Sequence, residues 1–277
     1  MPSLLLNTIA LDPNRWTPDK TPAVRLADVL EAVVAAGFAR LEVWQYHLST
    51  LSEREVDDLV AHAERLGVGA PIVGVYPALH LVGAEREREW EEVSRTIERA
   101  ERLGARAVKM FAGTRGSDVA TPAEAERSVE MSRRLAGLAR EHGMSLVAEA
   151  HPDTLCDSVG ATRRFLDAVG DVRVCFQPYD FTSTEKTLAD YRALHEHVVH
   201  VHLQGRRGGR MSLLESADID YRRVLSALAA DGFAGALSIE FVEGCVVGDA
   251  ADFDLDLVLE NAGRDRAFVA DAMPGIV

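Results

Sequence analysis

The feature that most restricts the fold is a cycle. A short β-rich run, a polar loop, a helix-like segment and a closing glycine return about every 35 residues. The runs are Leu4–Ala10, Ala39–Trp44, Pro71–Tyr76, Ala105–Gly113, Ser145–His151, Val172–Gln177, Val198–Gln204 and Ala236–Phe241. Most are apolar throughout instead of alternating, which suits parallel strands covered on both faces. Between them, Arg25–Gly37, Ser52–Gly67, Glu85–Gly104, Thr121–Gly143 and Asp220–Gly232 have apolar residues at helical spacing and stop at glycine. Ser52 with Glu55 three residues later forms a capping box. The acidic stretch Gly248–Phe268 begins a last helix, with its charges on a solvated face. Eight cycles predict an α/β chain folded as a single (β/α)8 TIM barrel over residues 1–277.

The rival is a doubly wound open sheet, which usually carries a glycine-rich phosphate loop after its first strand. Here the first run is followed by "LDPNRWTPDKTP", which holds no such loop. A net charge of −14 repels phosphate backbones, so the chain is expected not to bind nucleic acid. No stretch nears the roughly 20 apolar residues of a membrane helix. The start of the chain has no basic region ahead of its apolar run. Three widely spaced cysteines, Cys156, Cys175 and Cys245, argue against a disulfide framework and for a cytoplasmic protein.

The functional signal lies at the ends of the runs. In such a barrel the C-terminal strand ends form the active face. The fifth run ends in Glu149 and His151, the sixth in Gln177 with Asp180 beyond, the seventh in His200, His202 and Gln204, and the eighth in Glu240. Earlier runs end near Glu42, Trp44 and His47, and at Tyr76; the fourth contains Lys109. Neighbouring parallel strands are about 4.8 Å apart, so inward side chains from successive ends can meet at one point. Glu149, Gln177, His202 and Glu240 make a donor set suited to Mn²⁺, Mg²⁺, Co²⁺ or Zn²⁺. Two buried carboxylates without a cation would repel each other.

An ion there would polarise a carbonyl and acidify the neighbouring C–H, and a carboxylate would take the proton to give an enediolate. Glu149 and Glu240 are the candidate acid–base pair. His151 is a proton carrier or substrate contact, and Lys109 an electrophilic or charge-stabilising group. His47, Tyr76, Asp180 and Arg206 are the candidate substrate contacts. The stretch "GRRGGR" (205–210) is expected to be a loop whose arginines clamp a phosphate or carboxylate. The partner is then a small polyhydroxy carbonyl substrate. Homo-oligomers are common among such barrels.

These residues resemble the xylose-isomerase-like TIM-barrel superfamily of sugar phosphate isomerases and epimerases. "EAHP" resembles its Glu-x-His-Pro, "VHVHLQG" its His-x-His-x-Lys-Asp, and "LSIEF" its final strand with a Glu. "FAGTRGS" and "EAHPDTLCDS" also resemble bacterial 3-dehydroshikimate dehydratases. The resemblance implies a metal held by Glu149, Gln177, His202 and Glu240. Two departures stand out. The sixth strand reads "QPYD" where the family has Asp-x-x-His, and Gln204-Gly205 replaces the Lys-Asp of the seventh. A Gln in place of an Asp removes one negative charge from the donor set. The resulting expectation is a metal-dependent sugar (phosphate) isomerase or epimerase. The alternatives are a dehydratase of the dehydroshikimate type and a barrel that binds a ligand without catalysis.

Overall fold

The computed structural model describes residues 2–276. The strands are β1 (Ser3–Asn7), β2 (Arg40–Trp44), β3 (Gly69–Val75), β4 (Ala107–Phe111), β5 (Ser145–Glu149), β6 (Arg173–Phe176), β7 (Val198–Arg207), β8 (Arg210–Ser212) and β9 (Ala236–Phe241). The helices are α1 (Leu26–Ala35), α2 (Tyr46–Ser49), α3 (Glu53–Leu66), α4 (Gly83–Arg102), α5 (Pro122–Glu141), α6 (Val159–Val169), α7 (Thr184–Leu194), α8 (Tyr221–Ala230) and α9 (Leu255–Ala272). Eight strands pair in parallel, β1 through β7 in order and then β9, which returns to β1. The β6–β7 pairing closes the ring. The result is a (β/α)8 barrel, as the cycle predicts.

Local chemistry explains the elements. The strands are buried on both faces, β5 and β9 almost from end to end. Ser52 and Thr121 each form a capping box, with Glu55 and Glu124. Gly67 ends α3 at φ 68°, in the left-handed region that glycine enters without steric cost. All three cysteines are free and buried. Among the described residues no helix is long and apolar enough to cross a membrane.

The structure departs from the sequence reading in three places. After Asn7 the first run coils into a 3-10 turn, Thr8–Leu11. The one-turn helix α2 follows β2 directly. The stretch "GRRGGR" is a hairpin, not a loop: β8 folds back antiparallel on β7, pairing Arg206 with Met211 and Arg207 with Arg210. Gly205 makes that hairpin possible, since a Cβ there would sit 2.3 Å from the Ser212 carbonyl oxygen.

One buried carboxylate lies outside the barrel mouth. Asp265 on α9 accepts the Leu214 amide at 2.8 Å through Oδ1, while Oδ2 has no hydrogen-bond partner among the described residues. Burial pushes its pKa up to about 7 against the pull of the Leu214 N–H. The unfolded chain therefore loses this proton near pH 4 and the folded chain near pH 7. Stability from this group is intact below the first value, falls as pH rises between the two, and stays low above the second. Asp265→Asn keeps an acceptor for Leu214 and removes the charge. At pH 8 it is expected to be more stable than the parent by up to roughly 4 kcal/mol, with the difference vanishing near pH 4. Urea melts at the two pH values measure this.

Candidate active site

The C-terminal end of the barrel holds a cavity of about 360 Å³, within the range of small-ligand sites. Trp44, Tyr76, Phe111, Tyr179, Phe181 and Phe241 form much of its wall. Its polar lining includes Gln177, Gln204, Glu240, His151, Arg206 and Asp180.

At the base of the cavity side chains of three strands meet. Glu149 ends β5, His202 lies within β7 and Glu240 within β9. One donor atom from each falls within 4.8 Å of the others, and all three residues are buried. His202 Nδ1 is 3.5 Å from Glu149 Oε1 and 3.3 Å from Glu240 Oε1. It has no hydrogen-bond partner among the described residues. An orphaned ring nitrogen between two carboxylates is the arrangement a divalent ion would complete. These three residues therefore fit a metal.

Gln177 adjoins this set in a different way. Its Nε2 donates to Glu149 Oε1 at 2.8 Å, and its Oε1 accepts from Gln204 Nε2 at 2.9 Å. Turning its terminal amide over would exchange the two atoms and bring the oxygen toward Glu149's side. Gln204 Nε2 also donates to Glu240 Oε2 at 2.7 Å, and Gln204 Oε1 accepts two N–H groups of Arg206 at 3.0 and 2.8 Å. Gln204 is thus a hub that joins three strands, a role the sequence reading did not assign.

Lys109 supplies the positive charge. Its side chain is wholly buried, and Nζ lies 2.6 Å from Glu149 Oε2, 3.0 Å from the Tyr76 hydroxyl and 3.7 Å from Glu42 Oε1. Burial works against the ammonium, but Glu149, Tyr76 and Glu42 outweigh it and hold its pKa well above the usual value. Burial likewise raises Glu149, and Lys109 with His202 overrides it to keep the carboxylate ionised. Burial pushes the Tyr76 phenol up, with Lys109 only partly opposing. Tyr76 therefore stays an O–H donor at the cavity wall.

The remaining candidates separate. His151 stacks on Phe111 at 4.4 Å, and its Nδ1 donates to the Pro152 carbonyl at 2.5 Å, which leaves Nε2 as the basic nitrogen. Arg206 enters the cavity over Phe181, 4.2 Å from the ring centroid, whereas Arg207 and Arg210 are exposed. Asp180 lies at the mouth, where it accepts from Thr182. His47 is not in the cavity lining. It is buried beside Trp44, with Nδ1 2.9 Å from Thr8 Oγ1 and Nε2 3.6 Å from Asp12 Oδ2. The α2 turn carries it away from the mouth into the packing around the Thr8 turn. Arg15 and Trp16, from the segment after β1, line the cavity without having been singled out in the sequence.

The "FAGTRGS" and "EAHPDTLCDS" stretches form one unit. Asp157 accepts the Ser117 amide at 2.7 Å and the Ser117 hydroxyl at 2.8 Å, and the Leu155 amide donates to the Ala112 carbonyl at 3.1 Å. The two motifs hold each other in place, so their joint presence accounts for loop structure before it speaks to a reaction.

The family model for xylose isomerase-like TIM barrels matches residues 30–259. A 3-dehydroshikimate dehydratase of Bacillus anthracis is 24% identical over 163 residues, 54% of this chain. The match spans about half the length of that relative, 53%. Among solved structures, D-psicose 3-epimerase with D-tagatose from Clostridium cellulolyticum H10 superposes with a TM-score of 0.77 at 18% identity, covering 98% of this chain and 99% of that one. A xylose isomerase-like TIM barrel protein of Mycobacterium smegmatis in complex with magnesium gives a TM-score of 0.74 at 15% identity, covering 98% and 96%.

Proposed function

Because the chain belongs to the xylose isomerase-like TIM barrel family, we propose that it is a divalent-metal-dependent isomerase or epimerase of a small polyhydroxy carbonyl compound. The observation that carries this reading is the convergence of Glu149, His202 and Glu240 around the orphaned His202 Nδ1. An ion held by these residues would supply a Lewis acid that polarises the carbonyl and acidifies the adjacent C–H. Mn²⁺ and Mg²⁺ suit the two carboxylates best, and the imidazole also admits Co²⁺ or Zn²⁺.

The chain's own groups do the rest. Glu240 lines the cavity and takes the proton. Glu149 is its partner in returning one: it takes that proton from the Lys109 ammonium 2.6 Å away and passes it to the substrate carbon, and Glu240 gives up the abstracted proton through the cavity to restore the ammonium. Return to the opposite face of the same carbon is epimerisation; return to the next carbon is isomerisation. The Tyr76 hydroxyl donates to a substrate oxygen, and His151 Nε2 serves as a proton carrier for a hydroxyl. The aromatic walls exclude water and pack on the C–H faces of the substrate. Arg206 is held in plane by Gln204 and Phe181, so it is set to receive an anionic end, a carboxylate or phosphate.

A second reading is a dehydratase, favoured by the Bacillus anthracis relative. It uses the same proton abstraction, followed by departure of a β-hydroxyl as water. One experiment separates the two. The metal-loaded protein is incubated in D₂O with ketoses and with 3-dehydroshikimate. Deuterium entering beside the ketose carbonyl supports the first reading; conversion of 3-dehydroshikimate, itself an enone, into an aromatic dihydroxybenzoate with loss of water supports the second. Mn²⁺ at about 100 times its Kd is expected to stabilise the fold by about 2.7 kcal/mol over the protein in EDTA. Identical melting in EDTA and in Mn²⁺ would remove the metal from both readings.

A further inference from the structure

Glu42 takes no part in the mechanism above, yet it is completely buried in the middle of β2. Its two oxygens lie 3.1 and 3.0 Å from His202 Nε2 on β7, across the barrel. His200 Nε2, on the same strand, is 3.2 Å from Glu42 Oε2, and Lys109 Nζ is 3.7 Å from Oε1.

We propose that Glu42 is the positioning residue for His202: by accepting its Nε2–H, Glu42 fixes the ring tautomer and presents the Nδ1 lone pair to the metal. This rests on the metal reading above. A neutral imidazole has one N–H and one lone pair, and the partner of the first decides where the second points. With both Glu42 oxygens on the Nε2 side, the proton belongs there. Nδ1 then faces Glu149 Oε1 and Glu240 Oε1, neither of which can donate to it while ionised. Carboxylate partners of this kind raise the basicity of a ligating ring and hold its orientation. Lys109 and His200 complete the account. Lys109 Nζ is 3.7 Å from Oε1 and His200 Nε2 3.2 Å from Oε2, so Glu42 keeps the Lys109 counter-charge when the His202 ring is neutral.

Two variants and two measurements test this. Mn²⁺ affinity is measured by titration calorimetry for the parent, Glu42→Gln and Glu42→Leu. The Zn²⁺-loaded parent and Glu42→Gln are examined by ¹⁵N NMR of the histidine rings. The parent is expected to bind Mn²⁺ and to show a protonated Nε2 with a ligated Nδ1 at His202. Glu42→Gln, which retains an uncharged acceptor, is expected to lose roughly tenfold in affinity, and Glu42→Leu roughly 100-fold. A purely structural Glu42 would lower the melting temperature in EDTA and leave affinity and the ring signature unchanged. Should Glu42→Leu not fold, Glu42→Gln and the parent spectrum still decide. Affinity within twofold of the parent in Glu42→Gln, or ligation through Nε2, overturns the proposal alone. Absence of Mn²⁺ binding by the parent overturns the metal reading and this inference with it.

Discussion

Glu149→Gln is expected to abolish turnover and weaken the fold, whereas Glu240→Gln is expected to abolish turnover alone. The two carboxylates have equivalent places in the proposed proton transfer but different neighbours. Glu149 is the 2.6 Å partner of a buried ammonium. A neutral side chain there leaves Glu42, 3.7 Å away, as the carboxylate nearest to Lys109. Breaking a buried pair by removing one member typically costs about 3–5 kcal/mol, and Glu42 offsets part of that. Glu240 instead meets Gln204 Nε2, a neutral donor that a glutamine oxygen can still satisfy. Its replacement should cost under about 1.5 kcal/mol, the scale of one hydrogen bond. Loss of a general acid or base alone removes roughly 10²–10⁴ in rate, and loss of a metal donor adds to that. Paired measurements of kcat and of urea stability check the contrast. A folded Glu240→Gln protein with parental turnover would refute the assignment of that residue.

The barrel was legible because its signal repeats. Apolar runs, capping boxes and helix-ending glycines recur in step, and each is a local consequence of a few adjacent residues. Helices α6 and α7 were not singled out, although Ser158 and Ser183 cap them in the ordinary way. The strand ends also pointed to Glu149, His202 and Glu240, because parallel strands place equivalent ends at one level. What the sequence did not carry was pairing across the barrel. Glu42 and His202 are 160 residues apart, and Gln204 and Glu240 are joined only by the β7–β9 register. His47 illustrates the same limit from the other side. It follows a strand end, yet the short α2 turn and the Thr8 hydroxyl draw it into the packing. The Gln204-Gly205 departure has a steric cause at Gly205, where the hairpin leaves no room for a side chain.

Lys109→Met is expected to make the fold lean on the metal. Glu42, Glu149 and Glu240 together carry three negative charges close to Lys109, whose ammonium is the cation nearest to Glu149 and is also near Glu42. Methionine fills a similar volume against Gly74, where the lysine Cε packs closely. It leaves Glu149 Oε2 without its partner, at a cost of about 3–5 kcal/mol. For a chain of this size that corresponds to a fall in Tm of about 10 °C in EDTA. A divalent ion among the same carboxylates supplies the missing charge. Binding to the folded state alone then stabilises it by mass action, and the variant, with more negative charge at the site, should gain more from Mn²⁺ than the parent does. Melting curves in EDTA and in saturating Mn²⁺ give both differences. If the deficit of Lys109→Met is the same with and without Mn²⁺, the ammonium and the ion do not share these carboxylates. Lys109 would then be a structural counter-ion for Glu149, and the metal, if bound, would lie elsewhere in the cavity.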